Sequence, residues 1–566
     1  MNVRVTSAAK KEQNLLQTAA AVYVVTAEDI RRSGVTTLPD ALRLAPGVEV
    51  AQLSSDTWAI SIRGFNAIHS NKLLVLIDGR SVYSSVFSGV LWNKEDLMLE
   101  DVDRIEVIRG PGAALWGANA VNGVINIITK PARDTQGALL SLGGGSYDRG
   151  LGQARYGGSD GRNADYRVYG KYFNRNSLGG VAGVYEGSSW FMTRGGFRGD
   201  WNLAARDSLT ATGNIYRGQT GQLAYQILPR MAFLGPAPLV DSSGGDALLR
   251  WKHTLAGGSE MAWQAYYDRT HQGNFLFGEN ENVVDLDFQH RAPMAKRHDV
   301  IWGGGFRSTQ VRSSQASFTS ASIRPHTQLN LFSAFVQDEI ALVPHRLWAT
   351  AGSRFEHNDY TGWELQPSLR LLWKVRSEQA LWAAVSRAVR TPSVYEVSIQ
   401  MPVPVAPGVP IPGTLVGNPQ LNSESLLAYE LGYRVQPTHH VSLDVAGFYN
   451  RYRHLVSYTP LVVPSAGPLP QLLLQMCNSM RGQTYGTELS ATYSAARLWN
   501  LQGSYSLFRG EWNAGPGDRN AISTFVPGQT PRHQFQIRSG FTPLSSLEFD
   551  TNLFYVGRWT AYAVPG

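Results

Sequence analysis

Catalytic chemistry would need a constellation of side chains, and the usual ones are missing from this chain. There is no His-Glu-x-x-His, no phosphate loop ending in Gly-Lys-Ser/Thr, no Gly-x-Ser-x-Gly elbow and no Cys-x-x-Cys. The glycine run Gly143-Gly144-Gly145-Ser146-Tyr147 has no helix behind it, so it suits a sheet strand better than a phosphate cradle. The 12 histidines are scattered, His439-His440 falling in a predicted short turn. A lone Cys477 permits no internal disulfide and no cysteine-based zinc site. The expectation is a protein that is not an enzyme, with no catalytic residue, no metal site and no cofactor.

What remains is charge and aromatic surface. The 51 basic and 44 acidic residues leave a net charge of +7, and only nine of the bases are lysine. No run reaches five consecutive bases, which points to a solvated surface or polar lumen rather than to nucleic acid. Only 17% of residues are charged while 11% are aromatic, a balance that suits neither a disordered chain nor a helix bundle. No apolar run approaches the roughly 18 to 20 residues of a membrane helix, the most strongly apolar being Leu73 to Ile77. The first residues, MNVRVTSAAKKEQ, contain no apolar secretory segment.

Two kinds of element must position these residues. Up to about residue 130 the chain mixes helices and strands. Thr26 to Asp29 has capping-box spacing with Gly34 as a stop, and a second short helix is capped by Thr37 and ended by Pro46-Gly47. Short β runs follow at 59–62, 72–77, 104–108 and 124–129, so this span is a small mixed α/β globule. From about residue 133 the helical signal vanishes. About 19 segments of some ten residues alternate with period 2, as in Val441 to Tyr449, Tyr485 to Tyr493 and Leu547 to Tyr555.

Such alternation fits a soluble sandwich or a membrane barrel, and anatomy favours the barrel. Nineteen segments are too many for one sandwich. Trp190, Trp201, Trp348, Trp373, Trp499 and Trp559 lie near segment ends, as interfacial girdles require. Short turns near 436–439 and 495–498 alternate with long loops expected at roughly 217–243, 389–423, 453–484 and 510–530. The fold class is therefore mainly β: a large antiparallel transmembrane barrel behind a small N-terminal α/β domain.

Specific motifs sharpen this. The stretches RIEVIRGP (104–111), LWGANA (115–120) and GVINIITK (123–130) occur in order, after Ile62-Arg63-Gly64 and Leu76-Ile77-Asp78-Gly79-Arg80. Further on come FVQDE (335–339), Gln366-Pro367-Ser368, GNPQL (417–421) with Glu424, and YELGY (429–433). Together they resemble the TonB-dependent outer-membrane receptors of Gram-negative bacteria along nearly the whole chain, siderophore receptors included.

The resemblance implies a linker over 1–20, a plug over 21–132 and a barrel of the 22-stranded type over 133–566. It implies a cell outer-membrane location, lipid around the barrel, a monomer, and partnership with the TonB energy-coupling protein. Val3, Val5 and Thr6 are the candidate TonB box, an unstructured tail being the other reading of that segment. Family members carry a signal peptide and close their barrels, so the chain is expected to be a fragment lacking the signal and about three closing strands. Arg63, Arg80 and Arg109 are expected to be buried opposite barrel carboxylates, where bidentate pairs fix orientation.

By the family's layout the outward plug tips hold Ser55, Asp56, Trp58, His69, Phe87 and Trp92. The aromatic faces of Trp58, Phe87 and Trp92 suit a catecholate or a macrocycle, with core packing as the competing role for Trp58 and Phe87. The stretch from Arg390-Thr391-Pro392 to Asn418-Pro419-Gln420-Leu421 contains no His, which argues against the haem route of some relatives. The implied function is energised uptake of a scarce bulky nutrient, a ferric siderophore first. Cobalamin or another metal chelate, and a passive pore or adhesin, stay open as alternatives.

Overall fold

The computed structural model describes residues 3–178, 189–221, 239–273, 277–315, 321–404, 412–464, 470–495, 498–514, 522–523 and 529–558. Helix α1 (Ala27–Ser33) begins at a complete capping box between Thr26 and Asp29 and stops at Gly34, whose φ of 70° is left-handed. Helix α2 (Leu38–Leu42) is capped by the Thr37 side chain, with Pro39 in its first turn. Both pack on a five-stranded sheet ordered Ala21–Thr26, Val102–Arg109, Gly123–Thr129, Leu73–Ile77 and Arg80–Ser81. Leu73–Ile77 runs parallel to Gly123–Thr129 and is buried along its whole length, which explains why its sequence is apolar without alternation. A separate hairpin, Val48–Gln52 with Trp58–Ile62, completes the plug core.

The remaining strands form one sheet of 22, in which sequence neighbours are almost always spatial neighbours. Three are short excursions (Gln400–Pro404, Pro412–Val416 and Ile522–Ser523) and nineteen are long. On Gly362–Arg376 the alternation is plain: Trp363, Leu365, Leu369, Leu371 and Trp373 are exposed, while Gln366 and Leu372 are buried inward. A water-soluble sandwich would bury the apolar set. Here it faces out, and the polar set faces the plug, as in a membrane barrel. Gly137–Gly143 and Leu547–Val556 end the sheet, each paired on one side among the described residues. No described helix is long and apolar enough to cross a membrane.

Three sequence expectations change. The span 453–484 is largely strand: Val441–Val463 and Gln471–Ala495 form one long hairpin, with Val463 opposite Gln471. Its upper part also pairs with the short strands Pro412–Val416 and Ile522–Ser523 and buries Val456 and Met476, partners that a local sequence pattern does not reveal. Trp190 is no girdle residue, because it points inward and is buried against the plug, whereas Trp373 and Trp499 are exposed. Trp559 and much of the expected long loops lie outside the described residues. The span 389–423 also carries a short helix, Val394–Ser398.

Candidate functional site

Short turns at 205–206, 295–297 and 344–346 share one rim, and the longer connections share the other. In outer-membrane barrels the short turns are periplasmic. The plug's functional residues divide between those two ends and the belt between them.

At the belt, Arg63 donates from Nη1 to Glu430 at 2.7 Å and from Nε and Nη2 to Glu488 at 3.0 and 3.1 Å. Its guanidinium also lies 4.3 Å from the Phe448 ring centroid. Arg109 reaches the same Glu488 at 3.5 Å. Arg80 pairs with Asp268, Asp246 and the plug's own Glu95. Lys72 meets Glu424 at 2.6 Å, and Glu424 also receives Arg390 at 2.7 Å. Gly110 is needed here: its φ is 121°, and a Cβ would lie 2.3 Å from a Glu430 oxygen. Removing one partner of such a buried pair costs about 3–5 kcal/mol, because the other charge is stranded.

At the long-loop end, the structure separates the six proposed apex residues into two groups. Ser55, Asp56 and Trp58 are buried beside the barrel wall. Trp58 packs edge-on against Trp190 at 5.6 Å, and Asp56 accepts from Ser54 at 2.6 Å and Thr57 at 3.2 Å. Burial pushes the Asp56 carboxyl up, against those hydrogen bonds. Trp92 is in the plug core. His69 and Phe87 do come together, stacked at 4.6 Å and 6° between planes. Phe277 lies 5.6 Å and Tyr395 6.0 Å from the Phe87 ring. Burial pushes His69 down to about 4, so this half-buried imidazole is neutral near pH 7.

At the short-turn end, the candidate box is folded back on the plug. Arg4–Val5 pairs with Gln13–Asn14, and Val5 is buried. Glu106 accepts the backbone N–H of Thr6 at 2.9 Å and of Ser7 at 2.7 Å. Trp116 Nε1 donates to the Ser7 carbonyl at 2.8 Å, and Val3 accepts from the Leu15 N–H at 3.1 Å. Arg434 of the wall donates to the carbonyls of Leu15, Thr18 and Ala20.

Sequence reasoning did not assign roles to Glu430, Glu488, Glu106, Arg390, Phe277 or Tyr395. Glu430 and Glu488 carried a signal: each is an acid on the lumen face of an alternating strand. The description "TonB-dependent Receptor Plug Domain" matches residues 14–124, and "TonB dependent receptor-like, beta-barrel" matches 130–565. The chain belongs to the TonB-dependent receptor family. Members are outer-membrane transport proteins of Gram-negative bacteria, not enzymes.

Among relatives of this receptor, an iron-regulated outer membrane virulence protein of Vibrio cholerae is 24% identical over 583 aligned residues, covering 98% of this chain and 84% of that protein. The vitamin B12 transporter BtuB of Vibrio vulnificus is 37% identical over 144 residues, only 25% of this chain and 23% of the transporter. The siderophore receptor PirA of Pseudomonas aeruginosa superposes with a TM-score of 0.71 at 20% identity, over 95% of this chain and 91% of that one. A ferric enterobactin receptor of the same species gives 0.76 at 20% identity, over 95% and 86%. At these identities the structural likeness establishes the fold.

Proposed function

We propose that this receptor takes up a ferric siderophore across the outer membrane, with the energy delivered by TonB through residues 3–7. The carrying observation is the length of the likeness: the iron-regulated relative aligns along 98% of the chain. Physical features support it. The plug is held in the lumen by buried ion pairs, so passage of a bulky solute requires work on the plug. The stacked His69 and Phe87, neighbouring Tyr395, present aromatic surface at the outer end, suited to the flat rings of a catecholate chelate. Val5 sits in the short strand Arg4–Val5, which can re-pair with a partner strand once Glu106 releases the adjoining Thr6.

A cobalamin is the second reading, favoured by the 37% identity to a vitamin B12 transporter over a quarter of the chain. Uptake of iron-55 chelates and labelled cobalamin by expressing cells, with and without an uncoupler, separates the readings. Saturable iron accumulation abolished by the uncoupler is expected. Cobalamin accumulation alone would transfer the assignment, and linear, uncoupler-insensitive entry of either label would make the protein a passive pore.

A further inference from the structure

The lipid-facing wall is not evenly covered by side chains. One register row crosses five neighbouring strands as Trp263, Phe288, Gly304, Ala334 and Phe355, each the direct partner of the next. These positions share the outward face, so the row reads large, large, none, small, large. The gap over Gly304 and Ala334 is a hollow of about 660 Å³, within the roughly 300–1,000 Å³ of small-molecule sites. Rings wall it: Phe288 stands 4.5 Å from Trp263 and 5.4 Å from Trp302 between centroids, and Phe306 stands 4.9 Å from Phe332.

Backbone crowding accounts for one glycine here and not for its neighbour. At Gly303 a Cβ would lie 2.1 Å from the Phe288 carbonyl oxygen. At Gly304 it would meet a single atom within 4 Å, the Ser333 carbonyl oxygen at 3.2 Å, and the Gly304 φ is not left-handed. A glycine inside a strand weakens it and marks a place where something else approaches closely.

The two short turns on the strands of this hollow are basic. Lys296 and Arg297 join the strands of Phe288 and Gly304, and Arg346 lies between those of Ala334 and Phe355. All three side chains are exposed and none has an ion pair among the described residues. The acids nearby are already taken, Asp299 by Lys11 and Arg291, Asp338 by His298 and Glu339 by Lys11. Gly304 stands seven residues above Arg297, about 16–19 Å along the bilayer normal for a strand tilted 35–45°. A lipid chain anchored by its headgroup at the turn reaches that height.

We propose that the hollow at Gly304 seats one acyl chain of an anionic phospholipid of the periplasmic leaflet, its phosphate held by Lys296, Arg297 and Arg346. The shape disfavours a protein occupant. Trp302 and Phe306 close the hollow two residues either side of Gly304, so a spanning helix about 10–12 Å wide would ride over their rings. A flexible chain bends in beside Val336. Within lipid, apolar association gains nothing from leaving water, so fit of shape to shape decides retention. The unpaired cations add preference for an anionic headgroup, about fivefold for each charge.

The test uses the full chain purified in detergent and titrated with phosphatidylglycerol or phosphatidylethanolamine of the same chains, the first bound lipid being read by native mass spectrometry. Wild type is expected to bind phosphatidylglycerol at least tenfold more tightly. Gly304→Leu, which fills the hollow and keeps the charges, should weaken the first site about tenfold for both lipids. Gly170→Leu makes the same change at an open outward glycine on Ala164–Arg175 and should weaken neither. Should Gly304→Leu fail to fold, Ala334→Leu fills the same hollow from the next strand. Lys296→Gln/Arg297→Gln/Arg346→Gln should bring phosphatidylglycerol down to the level of phosphatidylethanolamine and leave the latter unchanged. Equal binding of both lipids by wild type would overturn the site, as would a first site indifferent to both leucine variants. A dimer peak abolished by Gly304→Leu would give the hollow to a second copy of the chain and overturn it too.

Discussion

Arg63 of the plug and Glu488 of the barrel wall form a two-pronged buried ion pair, Nε to Oε1 at 3.0 Å and Nη2 to Oε2 at 3.1 Å. A third guanidinium nitrogen is taken by Glu430. One side chain therefore fastens the plug to two wall strands, Glu424–Thr438 and Gln471–Ala495.

Arg63→Ala leaves two buried carboxylates without their main cation and should loosen plug seating by about 3–5 kcal/mol. Calorimetry in detergent should show the plug transition at lower temperature with the barrel transition unchanged. Arg63→Lys keeps the charge but loses the fork, so it should fall between the two. An unshifted plug transition in the alanine variant would remove this pair from the stability argument.

Glu106→Ala removes a charged acceptor from two backbone donors and the Thr6 hydroxyl. Hydrogen bonds to charged groups contribute about 1.5–3 kcal/mol each, so losing roughly 3 kcal/mol raises the released fraction of the N-terminal segment about a hundredfold. Limited trypsin cleavage after Lys10 and Lys11 should accelerate accordingly, while cleavage elsewhere stays at the wild-type rate.

Val5→Pro removes the backbone N–H from the short strand and should prevent re-pairing with an energy-coupling partner. Energised uptake should be lost while binding of label to whole cells at 0 °C is retained. Uptake at the wild-type rate would remove residues 3–7 from the coupling role.

Glu49, on strand Val48–Gln52, is buried, and burial pushes its carboxyl up to about 8 against weaker opposition from Asn66 and Ser61. The native plug thus keeps a proton that the unfolded chain, with an ordinary value of 4.5, releases. Stability should fall by about 1.4 kcal/mol per unit as pH rises from 4.5 towards 8. Glu49→Gln should flatten that slope and leave the plug more stable than wild type at pH 8. Denaturant titrations at pH 5 and pH 8 measure both.

Phe87→Ala deletes the middle ring of the His69, Phe87 and Phe277 stack. An aromatic pair contributes about 0.5–1.5 kcal/mol beyond area, so chelate affinity should weaken about two- to twelvefold. Equilibrium binding to purified receptor checks it, and unchanged affinity would place the ligand elsewhere on the outer face.

The fold was legible because both periodicities are strong. The capping box at Thr26, the buried run at Leu73 and the alternating wall strands each state their element locally. The site was less legible, for reasons of partnership. Arginine type and glycine neighbours marked Arg63, but its partners lie 367 and 425 residues away, a distance no local pattern spans. Trp58 and Trp92 look identical to ligand-facing tryptophans in sequence. Trp58 instead packs on Trp190 and Trp92 fills the plug core, contacts that exist only after folding. Phe277 and Tyr395 come from the barrel, so motifs confined to the plug could not point to them.

The hairpin of Val441–Val463 and Gln471–Ala495 has a use beyond transport. A bilayer consumes about 9–11 residues of a strand, fewer than half of the 23 and 25 here. The upper halves rise as a paired ribbon flanked by the short strands Pro412–Val416 and Ile522–Ser523, with Val462 at 72% exposure near the tip. An antibody would meet in this ribbon an epitope held by its own backbone ladder, readable from outside the cell whatever the plug is doing at the time.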